Sequence, residues 1–274
     1  MEDLSLDTFF YQHPVFRTET FFAFLSKHGS SNLVTQKTIL HYHTSKGKIA
    51  RIKREVYAVV QPGSNSENYP YNAYQIASQL TKDAVLAYHT ALELHGLAYS
   101  VFEDFTYLAS RRLAPLVFRD RNIFYAVSIP KVLVDKHKED VEITTIKNRE
   151  LEMRVTTVER TIVDVLDRID LSGGYEEVWR SLDSIAVFDV EVCIRYALLF
   201  DNATLSAKLG FFLSERPESL AVDEKHLKKL EKHIPSKIHY MDRSRKSAGK
   251  YIARWNLIVP EEILTRNWDE LYES

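Results

Sequence analysis

Residues 30–60, SSNLVTQKTILHYHTSKGKIARIKREVYAVV, decide how the first part of the chain folds. Ser30, Ser31 and Asn32 are N-cap candidates, because their side-chain oxygens can accept from the first free amides of a helix. The helix they open runs to about residue 44. At 100° per residue, Leu33, Leu40 and His43 fall on one side with Gln36 beside them. Ser31, Thr35, Thr38 and Tyr42 fall on the opposite side, flanked by Lys37. Gly47 closes the helix, and 48–60 alternates as a β-hairpin with its bend at 53–55. Upstream, 8–13 and 18–27 read as two more helices, the first closed by Pro14 and the second by Gly29.

Helix, turn, helix and then a basic hairpin is the order of a winged helix-turn-helix domain. A third helix with a small, polar outer face suits the major groove, where side chains must reach base edges without steric conflict. This assigns Ser31, Asn32, Thr35, Lys37, Thr38 and Tyr42 to the groove, and Lys46, Lys48, Arg51, Lys53 and Arg54 to phosphate. Charge supports the assignment. The formal net charge of −2 speaks against nucleic acid as one number, but residues 1–62 hold eight Lys/Arg against five Asp/Glu, a net of +3, leaving −5 on the remainder. Residues 27–54 carry seven basic residues and no carboxylate. Such a stripe neutralises phosphates and releases counterions. The alternative is a small helical domain that docks protein, with the charges as a solvated face.

Beyond the hairpin, QPGSNSENYP (61–70) is nearly free of apolar residues and reads as a linker. The expected organisation is therefore a DNA-binding domain at 1–62, a linker at 63–70 and a larger domain at 71–274. In the latter, 71–80 and 86–95 read as helices, and 104–109, 116–118, 122–129, 142–147 and 151–155 as strands. Helices dominate from 157 to 233 (157–167, 175–182, 190–200, 203–213 and 223–233), and 251–259 reads as a returning strand. Strands grouped in the middle with helices around them imply an α+β fold.

The 274 residues are ample for a core without staples. Apolar residues at 45% and charged residues at 27% exclude long disorder and fibrous repeats. A single cysteine, Cys193, excludes an internal disulfide and a thiolate zinc site, and fits a reducing, cytoplasmic location. No apolar run reaches the ~18 residues that span a bilayer, and the start MEDLSLDTFF is acidic where a signal peptide is basic. No membrane partner and no cofactor are expected.

Candidate chemistry in the second part is outweighed by simpler readings. His89 and His95 are six residues apart on one helix, the wrong spacing for one metal ion. Glu159, Arg160 and Asp164 could hold magnesium for a nucleic-acid enzyme, but Thr156 and Thr157 ahead of them make helix capping the simpler account. Gly173 and Gly174 lack the Lys-Ser/Thr that follows a phosphate loop and read as a turn. Cys193 reads as a buried small hydrophobe.

Several segments resemble the AbiEi family of antitoxins from type IV toxin–antitoxin systems. They are VTTVERTIVDVLDRIDLSGGYEEVWRSL (155–182), AYHTALELHGL (87–97), AKLGFFLSE (207–215), ARWNLIVP (253–260) and the hairpin KGKIARIKREVYAVV. The resemblance implies an N-terminal winged helix that represses its own operon promoter and a larger C-terminal antitoxin domain. It also implies a nucleotidyltransferase-like toxin encoded alongside, which the antitoxin counters without a stable complex. One position departs: where members commonly carry Gly before the Val/Leu-Tyr pair, this chain has Glu55, which repels phosphate and calls for a different turn. Arg243, Arg245, Lys246, Lys250 and Arg254 form a second basic group, open to flanking DNA, RNA or an acidic toxin surface, or else a solvated loop. The alternatives to an antitoxin are a stand-alone winged-helix regulator and a metal-dependent nucleic-acid enzyme.

Overall fold

The computed structural model describes residues 5–119, 121–216, 222–242, 249–266 and 268. The chain begins α1 (Leu6–Gln12), β1 (Val15–Arg17), α2 (Thr18–Lys27), α3 (Leu33–Ser45), β2 (Ile49–Lys53) and β3 (Val56–Val59). It continues α4 (Ala73–Gln79), β4 (Val85–Leu86), α5 (His89–Leu94), β5 (Asp104–Ala109), β6 (Leu116–Phe118), β7 (Asn122–Ser128), α6 (Lys131–Asp135), β8 (Ile143–Asn148) and β9 (Leu151–Thr156). The last part is α7 (Val158–Asp167), α8 (Tyr175–Asp183), α9 (Val190–Leu199), α10 (Ala203–Ser214), α11 (Glu224–Glu231), β10 (His239–Tyr240), β11 (Lys250–Ile252), β12 (Leu257–Val259) and α12 (Glu261–Thr265). The fold is α+β. Among the described residues no helix is long and apolar enough to cross a membrane.

Two compact units emerge. The first comprises Met1–Leu86, Glu103–Val127 and Thr145–Val155, and the second Ala87–Phe102, Ser128–Thr144 and Thr156–Ser274. The first unit thus runs past the 63–70 segment that composition marks as a linker. The cause is packing: α4 lies on β1, and the Arg17 guanidinium donates to the Gln79 carbonyl at 2.9 Å.

The first unit holds two sheets. One is three-stranded, in the order β1-β3-β2 and antiparallel throughout. Its β1 is only three residues long, too short for alternation to reveal. Below it Phe9, Phe10, Phe16, Phe21, Leu25, Leu40 and Ile49 form a core. Phe9 sits 5.3 Å from both Phe16 and Phe21, centroid to centroid, within the range where tilted and edge-on ring pairs attract. The other sheet is six-stranded, β6-β7-β5-β4-β9-β8, with β4 antiparallel to β5 and parallel to β9. Leu86, expected to open a helix, belongs to β4 in its centre. The helix starts only at His89, because Tyr88 takes a left-handed φ of 56° and breaks the path.

The second unit is mainly helical around Ile162, Val165, Trp179, Phe211, Phe212 and Trp255. A Cβ at Gly210 on α10 would overlap the Trp255 ring, so glycine there is what lets the indole seat against the helix. The indole N–H donates to Ser214 Oγ at 3.2 Å. Residues 251–259 were expected to be one strand. They form β11, a single 3-10 turn at Ala253–Trp255 and β12, which pairs back on β11, with Asn256 in the left-handed conformation that a reversal needs.

Candidate nucleic-acid interface

Local chemistry sets α3. The Asn32 side-chain oxygen accepts from the amides of Val34 at 2.8 Å and Thr35 at 3.3 Å, closing two of the free donors at the helix start. Asn32 is therefore committed to capping through its oxygen, with its amide hydrogens left outward. Inside, Gln36, Leu40 and His43 are buried. The Gln36 amide nitrogen reaches Phe22 O (3.2 Å), Ser26 Oγ (2.8 Å) and Ser30 O (2.7 Å), joining α3 to α2 and to the turn between them. His43 is held below its ordinary pKa, first by burial and then by Lys48, against the pull of Asp7. The inner face of α3 thus carries no charge near neutral pH.

Leu33, which the helical periodicity puts inward with Leu40, is 53% exposed. Burial begins one turn later, with Gln36 at the contact with α2, so the first turn overhangs that contact. The outer face carries Ser31, Thr35, Lys37, Thr38, Tyr42 and Lys46, all exposed as expected. It also carries Val34, His41 and Ser45, which are exposed too. Val34, Thr38, His41 and Ser45 lie within ~60° of one another on the wheel and form the middle of the exposed face. Thr38 Oγ1 donates to Val34 O at 2.9 Å, which leaves the hydroxyl lone pairs outward as acceptors. The Lys46 ammonium lies 5.9 Å from the Tyr42 ring centroid.

The hairpin pairs Ile49 with Val59, Ala50 with Ala58, Arg51 with Tyr57 and Lys53 with Val56, with an irregularity between Arg51 and Lys53. That shift lets Ile52 turn into the core while Arg51 and Arg54 stay exposed. Among the described residues, Arg51 Nε reaches only the Lys53 carbonyl, at 3.4 Å. Lys48 lies 3.8 Å from the exposed Asp7, a weak pair. Lys53 is half-buried, and its ammonium is pushed below the usual lysine value by burial first, then by Arg17 and Arg111, against Glu55.

Glu55 does not impose a different turn. It takes φ +68°, the left-handed region that a glycine would occupy. Its carboxylate meets Arg17 at 3.5 Å and Arg54 at 3.9 Å, and its carbonyl accepts from Thr18 N at 2.9 Å. The negative charge at the tip is therefore shared between two guanidinium groups.

Of the second basic group, Lys250 and Arg254 lie among the described residues. Arg243, Arg245 and Lys246 lie outside the described residues. Lys250 is exposed on β11. Arg254 is held by Glu231 and Glu224, each at 2.6 Å, with its guanidinium 5.4 Å from the Trp255 ring centroid.

Elsewhere in the second unit the polar residues of 155–182 knit the fold. The Thr157 hydroxyl caps α7 by accepting from Arg160 N. Glu159 accepts from the Asp189 amide. Asp164 is buried, with one oxygen taking Arg160 Nε (3.2 Å) and the other the Tyr196 hydroxyl (2.8 Å). Arg160 also donates to the carbonyls of Glu139 and Val141. His89 stacks on Phe102 at 3.9 Å and lies 3.0 Å from Glu177. Burial works to raise Glu177, but hydrogen bonds from His89 and from the Ser100 amide outweigh it and hold the carboxyl at about 2. His95 Nε2 lies 2.7 Å from the Thr156 carbonyl. Gly173 and Gly174, at φ +84° and +94°, form the turn before α8. The buried Cys193 thiol is pushed up by burial and donates to Glu159 O at 3.5 Å. An open cleft of about 800 Å³ borders this turn, with Asp167, Arg168, Asp170, Lys208 and Glu262 among its walls. Among the described residues no three His, Cys, Asp or Glu side chains group closely enough to hold a metal ion.

No protein-family model matches the chain. No curated protein matches it either. Among solved structures, the chain is similar to the crystal structure of RV2827C protein from Mycobacterium tuberculosis, with a TM-score of 0.59 at 15% identity, over 92% of this chain and 89% of that one. At that identity the likeness is one of fold.

Proposed function

We propose that the chain is a DNA-binding transcriptional regulator that represses its own promoter and serves as the antitoxin of an AbiEi-like pair. The observation that carries the DNA reading is the outer surface of α3 with the adjoining hairpin. A capped helix exposes Val34, Thr35, Lys37, Thr38, His41 and Tyr42, and Arg51 and Lys53 on β2 and Arg54 in the turn after it follow. The order α1-β1-α2-α3-β2-β3 with its β1-β3-β2 sheet supports reading this part as a winged helix-turn-helix, in which the last helix enters the major groove and the hairpin lies along the backbone. Thr35, Thr38 and Tyr42 would read base edges, Val34 would meet thymine methyls, and the hairpin cations would set the register on phosphate.

The antitoxin half of the proposal rests on the resemblance of residues 155–182 and the other quoted segments. It carries with it a cytoplasmic location, a nucleotidyltransferase-like toxin as functional partner and a regulatory rather than catalytic role without metal or cofactor. Electrophoretic mobility shift of the gene's upstream DNA by the full chain tests the first half. Rescue of growth on co-expression with the adjacent gene tests the second. A chain that shifts its promoter but rescues no toxin would be a stand-alone regulator.

A further inference from the structure

We infer that the loop bearing Arg111 and Arg112 is a second phosphate-contacting arm of the DNA interface, set beside the hairpin tip. The inference rests on the DNA-binding reading above and enlarges the surface it uses. Sequence gives no hint of it, because these arginines lie more than fifty residues beyond the hairpin and outside the basic stripe.

A chain of contacts within the first unit places the loop. At the hairpin tip, Glu55 is bound through its carboxylate by Arg17 and through its carbonyl by the Thr18 amide. Arg17 also donates to the Gln79 carbonyl at 2.9 Å. Just past Gln79, Lys82 pairs with Glu19 at the start of α2. Asp83 accepts from the Ser110 amide at 2.6 Å. Residues 79–83 are therefore tied to the hairpin tip through Arg17 on one side and hold Ser110 on the other. Arg111 and Arg112 follow directly, and both are exposed.

The charge balance of this corner is unusual. Each carboxylate in the chain of contacts is already engaged: Glu55 with Arg17 and Arg54, Glu19 with Lys82, and Asp83 with Ser110. Among the described residues, neither Arg111 nor Arg112 has an ion-pair or hydrogen-bond partner, and neither does the Lys53 ammonium. The positive charge of Arg111 is felt at Lys53, so the loop and the hairpin share one field. Like charges are brought together from separate segments while the nearby carboxylates of Glu55, Glu19 and Asp83 are each engaged elsewhere, which fits a ligand whose own charges repeat along a line. Duplex DNA supplies one phosphate per ~1.7 Å of axis, and the planar guanidinium forks match phosphate oxygens two at a time.

The test is a salt titration of the full chain. Fluorescence anisotropy would follow binding to a labelled duplex from the gene's upstream region and to a scrambled duplex of equal length, between 50 and 200 mM salt. Arg111→Ala/Arg112→Ala should lower the magnitude of the log-affinity against log-salt slope by about two. The wild-type advantage over the variant should then shrink about 12-fold across that range, on both duplexes alike. Arg111→Lys/Arg112→Lys should keep the slope. Lys225→Ala/Lys228→Ala, which removes the same charge from the exposed face of α11, should leave it unchanged. If Lys53→Ala lowers the slope and the loop variant does not, the second arm is refuted and the DNA reading stands. If the wild-type chain binds neither duplex, both fall.

Discussion

Replacing Gln36 tests how α3 is held at its working angle. Its side chain is only 4% exposed. One amide nitrogen faces three acceptors, on Phe22, Ser26 and Ser30, at 2.7–3.2 Å. Two hydrogens can make two full bonds at about 1 kcal/mol each, and a buried carbonyl left without a donor adds to the loss. Gln36→Leu should therefore cost about 2–3 kcal/mol, a large share of the ~5–15 kcal/mol that a domain has. Gln36→Glu keeps the shape and replaces the donor with a carboxylate aimed at two carbonyl oxygens, with only the Ser26 hydroxyl able to turn and donate to it. It should be worse than Leu at pH 7. The site disfavours its charged form, so its pKa rises in the folded state, and the deficit should shrink as pH falls through that raised value and the neutral acid becomes a donor. Urea unfolding at pH 7 and pH 5, with m unchanged, reads both effects. A Leu variant within about 0.5 kcal/mol of wild type, or a Glu variant no worse than Leu and indifferent to pH, would refute the staple.

Three further outcomes follow from the same contacts. Glu177 is held at about 2 in the folded chain, so the stability it contributes is present above its unfolded value near 4.5 and lost as pH falls toward 2. By linkage this amounts to about 3 kcal/mol, and the gap between wild type and Glu177→Gln should narrow between pH 6 and pH 3; a constant gap would contradict it. Asp164→Ala strands the fully buried Arg160 guanidinium without its carboxylate, and should lower stability by about 3–5 kcal/mol in thermal or urea unfolding, whereas a neutral effect would argue against a buried pair. Glu55→Gly relieves a left-handed non-glycine residue and removes a charge that repels phosphate. It should tighten binding to every DNA sequence alike while changing stability by no more than about 1 kcal/mol, and weaker binding would contradict that account.

What could be read from sequence was what is local. The Asn32 cap, the Gly47 stop and the alternation of 48–60 act over a few residues, and α3 with its hairpin lie where those signals put them. The α7 start at Thr157 was legible for the same reason. What escaped depends on partners distant in sequence. The three residues of β1 and the two of β4 are strands only because β3, β5 and β9 lie beside them. Leu33 looks inward on a wheel, yet is exposed because α2 does not reach it. Arg254 looks like part of a basic patch until Glu224 and Glu231 are seen against it. Arg111 reads as an ordinary loop residue until Asp83, next to the segment that Arg17 ties to the hairpin tip, is seen holding Ser110. Composition also marked 61–70 as a boundary, whereas the Arg17–Gln79 bond continues the first unit past it.

The most direct test of the account is the ratio of affinities for promoter and random DNA. At about 150 mM salt the full chain should bind a duplex from its own upstream region at least 10³-fold tighter than a scrambled duplex. Thr38→Ala should reduce that ratio, and Lys53→Ala should weaken both duplexes equally. Equal affinity for the two duplexes, or a Thr38→Ala variant with the wild-type ratio, would contradict the claim that the outer face of α3 reads sequence.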